Sequence, residues 1–241
     1  MLLLITASTA AFGGSWVRPA GGVYVKVGAA HFVGKTITAQ GDFVGDALEA
    51  YGEVGLGAQW ELDLSARAVR HQLGAAVEMG LQDLEALAKW GPGGATPIAI
   101  LIGTRVSPYT RGLRGPGGAD LITGFGVSRG YPWGWLDGRA LHRLRVGGPS
   151  SAIRLSGQVG LKRPKSPIGG AVELAIQPAF ARIADQPTGA PLPIEEALSV
   201  GAVGFVEVAA GFGLSVDAAW LPPFHNDGPG ARIAGGLTWT R

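Results

Sequence analysis

Trp60-Glu61-Leu62-Asp63-Leu64-Ser65-Ala66-Arg67-Ala68-Val69-Arg70-His71 alternates with a period of two. Trp60, Leu62, Leu64, Ala66 and Ala68 share one parity. Glu61, Asp63, Ser65, Arg67 and His71 share the other, where Val69 is the single apolar residue. A β-strand sends successive side chains to opposite faces, so this stretch has one apolar and one charged face. A helix would mix the two. The stretch is also about ten residues long, the length of a tilted strand that crosses a membrane.

The pattern recurs along the chain. Leu48, Ala50, Gly52, Val54 and Leu56 alternate with Glu49, Tyr51 and Glu53. Leu136, Ala140, Leu144 and Val146 alternate with Asp137, Arg139, Arg143 and Arg145. Ile153, Leu155, Val159 and Leu161 alternate with Arg154, Ser156, Gln158 and Lys162. About twelve such segments are expected: 22–34, 45–56, 59–71, 80–90, 96–107, 118–128, 134–146, 151–162, 169–181, 199–211, 213–222 and 229–240. An even number suits a closed antiparallel barrel with both termini on one side. Odd connections read as long (34–44, 72–79, 107–117, 182–198, 222–228), with 147–150 the exception. Even ones read as short, with Gly and Pro punctuation such as Gly91-Pro92-Gly93-Gly94. The fold class expected is all-β: a single closed antiparallel transmembrane barrel of about twelve strands over residues 14–241.

Composition narrows the choices. Hydrophobic residues make up 46% and charged residues 16%, which excludes intrinsic disorder. The 41 glycines have no three-residue period, which excludes collagen. Net charge is only +2, so no bulk cationic field points to nucleic acid. Without cysteine there is no disulfide, thiol nucleophile or Cys-metal site. Residues 1–13 resemble the apolar core of a signal peptide, with cleavage after Ala10 or Gly13, although no Lys or Arg precedes it.

A water-soluble sandwich buries its apolar face, whereas a membrane barrel turns it outward. Three signals favour the barrel. Charges sort onto one parity, with Arg70 and His142 as the exceptions. Trp60, Trp90 and Trp239 fall at one rim, with Trp133 in a turn on that side, and Trp220 and Phe180 approach the other. Interfacial aromatic girdles have that distribution. Ala and Gly crowd both faces, where a packed sandwich core would need bulky branched residues.

Two short motifs carry a family resemblance. Ala50-Tyr51-Gly52-Glu53-Val54-Gly55-Leu56 followed by Trp60-Glu61-Leu62 resembles a strand-turn-strand unit common in bacterial outer-membrane barrels. Gly80-Leu81-Gln82-Asp83-Leu84-Glu85 followed by Lys89-Trp90 is similar to a strand of transporter-like barrels of the meta-pathway phenol-degradation type. The resemblance implies a bacterial outer-membrane location. The partners it implies are the lipid bilayer, lipopolysaccharide and the outer-membrane assembly machinery. Barrels of this kind usually end in an aromatic residue, whereas here Trp239 is followed by Thr240 and Arg241.

No catalytic, metal or cofactor site is expected. The histidines, His31, His71, His142 and His225, form no His-x-His or His-x-x-x-His pair. Glu195-Glu196 reads as a solvated acidic pair. The informative feature is the inward charge. Acidic residues gather on the early strands (Glu49, Glu53, Glu61, Asp63, Asp83, Glu85) beside Arg67. Basic ones gather on strands seven and eight (Arg139, Arg143, Arg145, Arg154, Lys162). In a twelve-strand ring these arcs oppose each other and would set a field across a water-filled pore. Three readings stand: a small pore or uptake channel for small solutes, a non-conducting barrel with a structural or surface-loop role, and a soluble all-β domain. The charged interior favours the first.

Overall fold

The computed structural model describes residues 16–36, 42–92, 97–108, 118–146, 151–162, 166–176, 179–180, 198–221 and 227–241. The leader-like residues 1–13, Gly93-Gly94, Glu195-Glu196 and His225 lie outside them.

The strands are β1 (Val23–Thr36), β2 (Asp42–Gly57), β3 (Trp60–Leu73), β4 (Ala76–Trp90), β5 (Ile98–Ser107), β6 (Gly118–Tyr131) and β7 (Gly134–Val146). They continue as β8 (Ser151–Lys162), β9 (Ile168–Ile176), β10 (Ala179–Phe180), β11 (Leu198–Ala209), β12 (Phe212–Leu221) and β13 (Asp227–Thr240). The two-residue β10 pairs with β8 in the register that β9 uses, so both belong to one stave. Twelve staves therefore form the wall. Each is antiparallel to its neighbours, and β1 closes the ring against β13, with His31 opposite Ile233. Among the described residues there is no helix.

One end of the barrel, here the near end, holds the β2–β3, β6–β7 and β11–β12 turns. It also holds the paired ends of the wall, where Val23 and Arg241 exchange backbone hydrogen bonds of 3.0 and 2.9 Å. The β2–β3 turn is two residues, Ala58 (φ 47°) and Gln59 (φ 68°), both left-handed as a hairpin of this hand requires.

The expected long connection at 72–79 is instead a two-residue turn, Gly74-Ala75. A bulge explains the difference. Arg67 pairs with Asp83 but Ala68 pairs with Leu81, which leaves Gln82 as the extra residue. Alternation before the bulge is therefore out of phase with alternation after it, and the start of β4 does not read as one strand.

The wall is inverted relative to a soluble protein. Leu48, Leu64, Ile100, Phe125, Leu161, Val172 and Leu237 are exposed, while Glu53, Glu61, Asp63, Asp83, Lys89 and Asp217 are buried. The interior is not wholly polar. Phe32 packs with Ala30, Ala47, Val69 and Ala234. Leu87, Leu101 and Ile122 pack with Leu141.

Candidate functional site

Each charged residue of the two expected arcs shares the parity of the barrel interior. Glu49 and Glu53 come from β2, and Glu61, Asp63 and Arg67 from β3. Asp83 and Glu85 come from β4, Arg139, Arg143 and Arg145 from β7, and Arg154 from β8. Their pairing differs from two arcs facing each other across water. Glu49 lies 3.0 Å from Arg67 and accepts from Arg232 of β13 at 2.6 Å. Asp83 takes a bidentate bond from Arg105 at 2.9 and 2.6 Å and a third from the Ser107 hydroxyl at 2.7 Å. Asp120 pairs with Arg145 at 2.6 Å, and Asp217 with Arg232 and Lys26. Arg139 lies 3.4 Å from Asp137, and Arg154 lies 3.9 Å from Glu173. Arg143 of β7 reaches past β6 and β5 to Glu85 of β4 at 3.6 Å, so at that level the arcs touch. The physical reason is desolvation. A charge in a narrow interior must be paired or hydrogen-bonded, and long arginines find the nearest carboxylate.

At the near end a chain segment lies across the bore. Before β1 the chain turns back, with Gly22 N–H donating to Pro19 O and Gly21 N–H to Gly55 O, both at 2.9 Å. Gly55 permits this approach, because a Cβ there would stand 2.0 Å from Pro19 O. Arg18 then reaches β2 and β3. Its Nε donates to Glu53 at 2.5 Å, its backbone N–H donates to Glu61 at 2.5 Å, and its guanidinium lies 5.1 Å from the Tyr24 ring centroid. Val17 sits against Gly91, just past β4. Trp16 packs on Trp135 of β7, Ala171 of β9 and Val203 of β11, beside Phe205. β7 is six staves from β1, half the ring, and β9 and β11 are four and three, so residues 16–22 cross from one wall toward the other.

Arg18 also completes a charge cluster. Carboxylate oxygens of Glu53, Glu61 and Asp63 lie within 4.8 Å of one another. Lys89, 1% exposed, pairs with Glu61 and lies 3.6 Å from Asp63. Arg18 and Lys89 thus supply two positive charges to three negative ones.

The aromatic residues take both rims. Trp60 and Trp90 are direct cross-strand partners on the outward face at the near end. Trp239 stands 6.5 Å from Phe212 there, centroid to centroid, and Trp133 stacks on Tyr131 in the β6–β7 turn. Trp220 is exposed toward the other end of the barrel. Phe180 falls in β10, and its side chain is outside the described set.

Several interior residues have no place in the sequence reading. Trp135 carries the inward parity of Asp137 and Arg139, a signal available in the sequence, and donates to Gln158 Oε1 at 2.9 Å. Leu87, Leu101 and Ile122 were hidden because hydrophobicity alone assigns them outward. Arg18 and Trp16 precede the first alternating segment, so periodicity is silent about them.

No family model matches the chain, and no curated protein sequence does. Solved structures do match. An outer membrane channel from Pseudomonas putida F1 superposes with a TM-score of 0.66 at 11% identity, covering 95% of this chain and 98% of that one. NanC porin superposes at 0.61 and 9% identity, and KdgM porin at 0.53 and 10%, each covering 89% of this chain and 98% of its own. The shared feature is the closed barrel. The narrower resemblance to the meta-pathway type rests on the motif from Gly80 to Trp90 alone.

Proposed function

We propose that this protein is a bacterial outer-membrane channel for small solutes, narrowed at its near end by residues 16–22. The observation that carries the reading is the inversion of the wall: a closed barrel exposes leucine and isoleucine and buries paired carboxylates and guanidiniums. Such a surface is stable where acyl chains cover it. The near end, with short turns and the paired ends of the wall, is the periplasmic one. The bilayer, lipopolysaccharide and the assembly machinery are then the partners of the outer wall. A polar, charge-lined interior suits small hydrophilic or charged solutes.

A non-conducting structural barrel is the second reading, and one observation favours it. Lys89, Trp135 and Ile122 are 1%, 1% and 0% exposed, so much of the interior is filled by side chains. Purified protein refolded into planar bilayers separates the two. A channel gives discrete conductance steps, and a filled structural barrel inserts without them.

A further inference from the structure

The segment across the near end is held by charge at one wall and by apolar contact at the other. Arg18 meets the carboxylates of Glu53 and Glu61, and Trp16 packs on Trp135 beside Phe205. Between Arg18 and β1 stand Gly21, in the left-handed region at φ 73°, and Gly22. A Cβ on Gly21 would meet nothing within 4 Å, so the β1 end of the segment has both torsional freedom and open space around it. The two anchors differ in kind: the one at Arg18 depends on ionised carboxylates, and the one at Trp16 does not.

The groups around Arg18 come from five strands. β1 supplies Tyr24, whose ring centroid lies 5.1 Å from the guanidinium. β2 supplies Glu53 and Tyr51, whose hydroxyl donates to Glu53 at 2.8 Å. β3 supplies Glu61 and Asp63, and β4 supplies Lys89. β7 supplies Arg139, which acts electrostatically on Glu53 and Asp63 and lies 3.4 Å from Asp137. Arg139 and Asp137 cancel. Glu53, Glu61 and Asp63 then carry three negative charges against the two positive charges of Arg18 and Lys89, so the cluster is −1 with the segment in place. Withdrawing Arg18 leaves −2 on carboxylates whose oxygens lie within 4.8 Å of one another. A carboxylate holds a proton more tightly beside like charge and after loss of a neighbouring cation. The released state therefore binds more protons than the held state, and acid favours release. At the other anchor Lys162 stands 5.7 Å from the Phe205 ring centroid, and it stays charged throughout the acid range.

We propose that residues 16–22 are an acid-released gate: protons taken up by Glu53, Glu61 and Asp63 free Arg18, and the segment swings at Gly21-Gly22 out of the near end of the bore. The proposal rests on reading the barrel as a channel. One proton makes the held cluster neutral and a second makes it positive, so Arg18 passes from attraction to repulsion by Lys89. The Trp16 contact opposes release equally at every pH. It sets where on the pH scale release occurs, and the carboxylates set that release depends on pH at all.

The test pairs single-channel recording of the full chain with a spin label on the segment, each stepped from about pH 8 to about pH 4, a span that titrates carboxylates and leaves Arg18 and Lys89 charged. The chain has no cysteine, so Ala20→Cys carries a nitroxide at a single position. Wild-type conductance should rise several-fold on acidification and fall again on return, and the label should pass from restricted to mobile over the same range. Arg18→Gln should conduct at the larger level, with a mobile label, at both pH values. Trp16→Ala should move the wild-type transition to higher pH. Conductance that is the same at both pH values, a label that stays restricted in acid, or a pH response that survives in Arg18→Gln would overturn the gate while leaving the channel intact. Folded, inserted protein that is silent at both pH values would remove the channel reading, and a label mobilised by acid in that silent protein would still support release of the segment.

Discussion

The indole of Trp135 occupies the space that a side chain on Gly160 would need: a Cβ built there stands 2.0 Å from the ring. Trp135 enters from β7 and Gly160 sits beside it on β8 as its cross-strand partner. Gly160→Ala should therefore destabilise the barrel and Gly160→Val more so, by about 1–3 kcal/mol as overpacking does. Urea titration in lipid vesicles, followed by tryptophan emission, reads the change. A neutral Gly160→Ala would mean that Trp135 does not rest on that wall.

Lys89 is shared by Glu61 and Asp63 in the interior. Lys89→Met removes the ammonium that both carboxylates share and leaves them facing each other. Breaking a buried pair from one side typically costs 3–5 kcal/mol. The same titration should show a loss of that order, and Lys89→Met with Glu61→Gln should recover part of it. Equal losses in the single and double variants would mean the two side chains are not coupled.

The β2–β3 turn places two non-glycine residues at positive φ. Type I′ hairpins favour Asn-Gly at these positions. Ala58→Asn with Gln59→Gly should raise stability by about 1 kcal/mol, since each strained residue costs on that order. The exposed 3.3 Å bond from Gln59 Nε2 to Pro92 O is a small loss against this. A destabilised double variant would contradict the turn geometry.

Leu64 is half exposed on the outer wall, opposite Gly52 and Ala86. Leu64→Arg should cost about 2–4 kcal/mol in a bilayer. Its neighbour Ser65 sits opposite Glu85 on the interior face, so Ser65→Arg should cost less. Comparable losses would mean that the two faces are misassigned.

Strand existence, order and parity were legible because one physical rule repeats through the chain. Period-two alternation places Glu61 and Asp63 inside and Leu62 and Leu64 outside, and antiparallel neighbours then follow in order. Three kinds of feature escaped that rule. The bulge at Gln82 shifts the phase inside β4 and conceals its first residues. Interior apolar residues such as Leu101 and Ile122 contradict the hydropathy cue, because a narrow bore is filled as well as lined. The segment bearing Trp16 and Arg18 is irregular, and its position depends on contacts with four or more distant strands. Ion-pair partners also escaped: Arg232 meets Glu49 across 183 positions of sequence, a separation that no local pattern reports.

Single-channel conductance tests the account most directly, on wild-type protein and on a variant carrying Trp16→Ala and Arg18→Ala. Both substituted residues hold the segment that crosses the near end, one at each wall. The wild type should show small conductance steps, and the variant steps several-fold larger at equal insertion and unchanged heat-modified mobility. Inserted, folded protein that stays silent in both forms would contradict the channel and leave a structural barrel in its place.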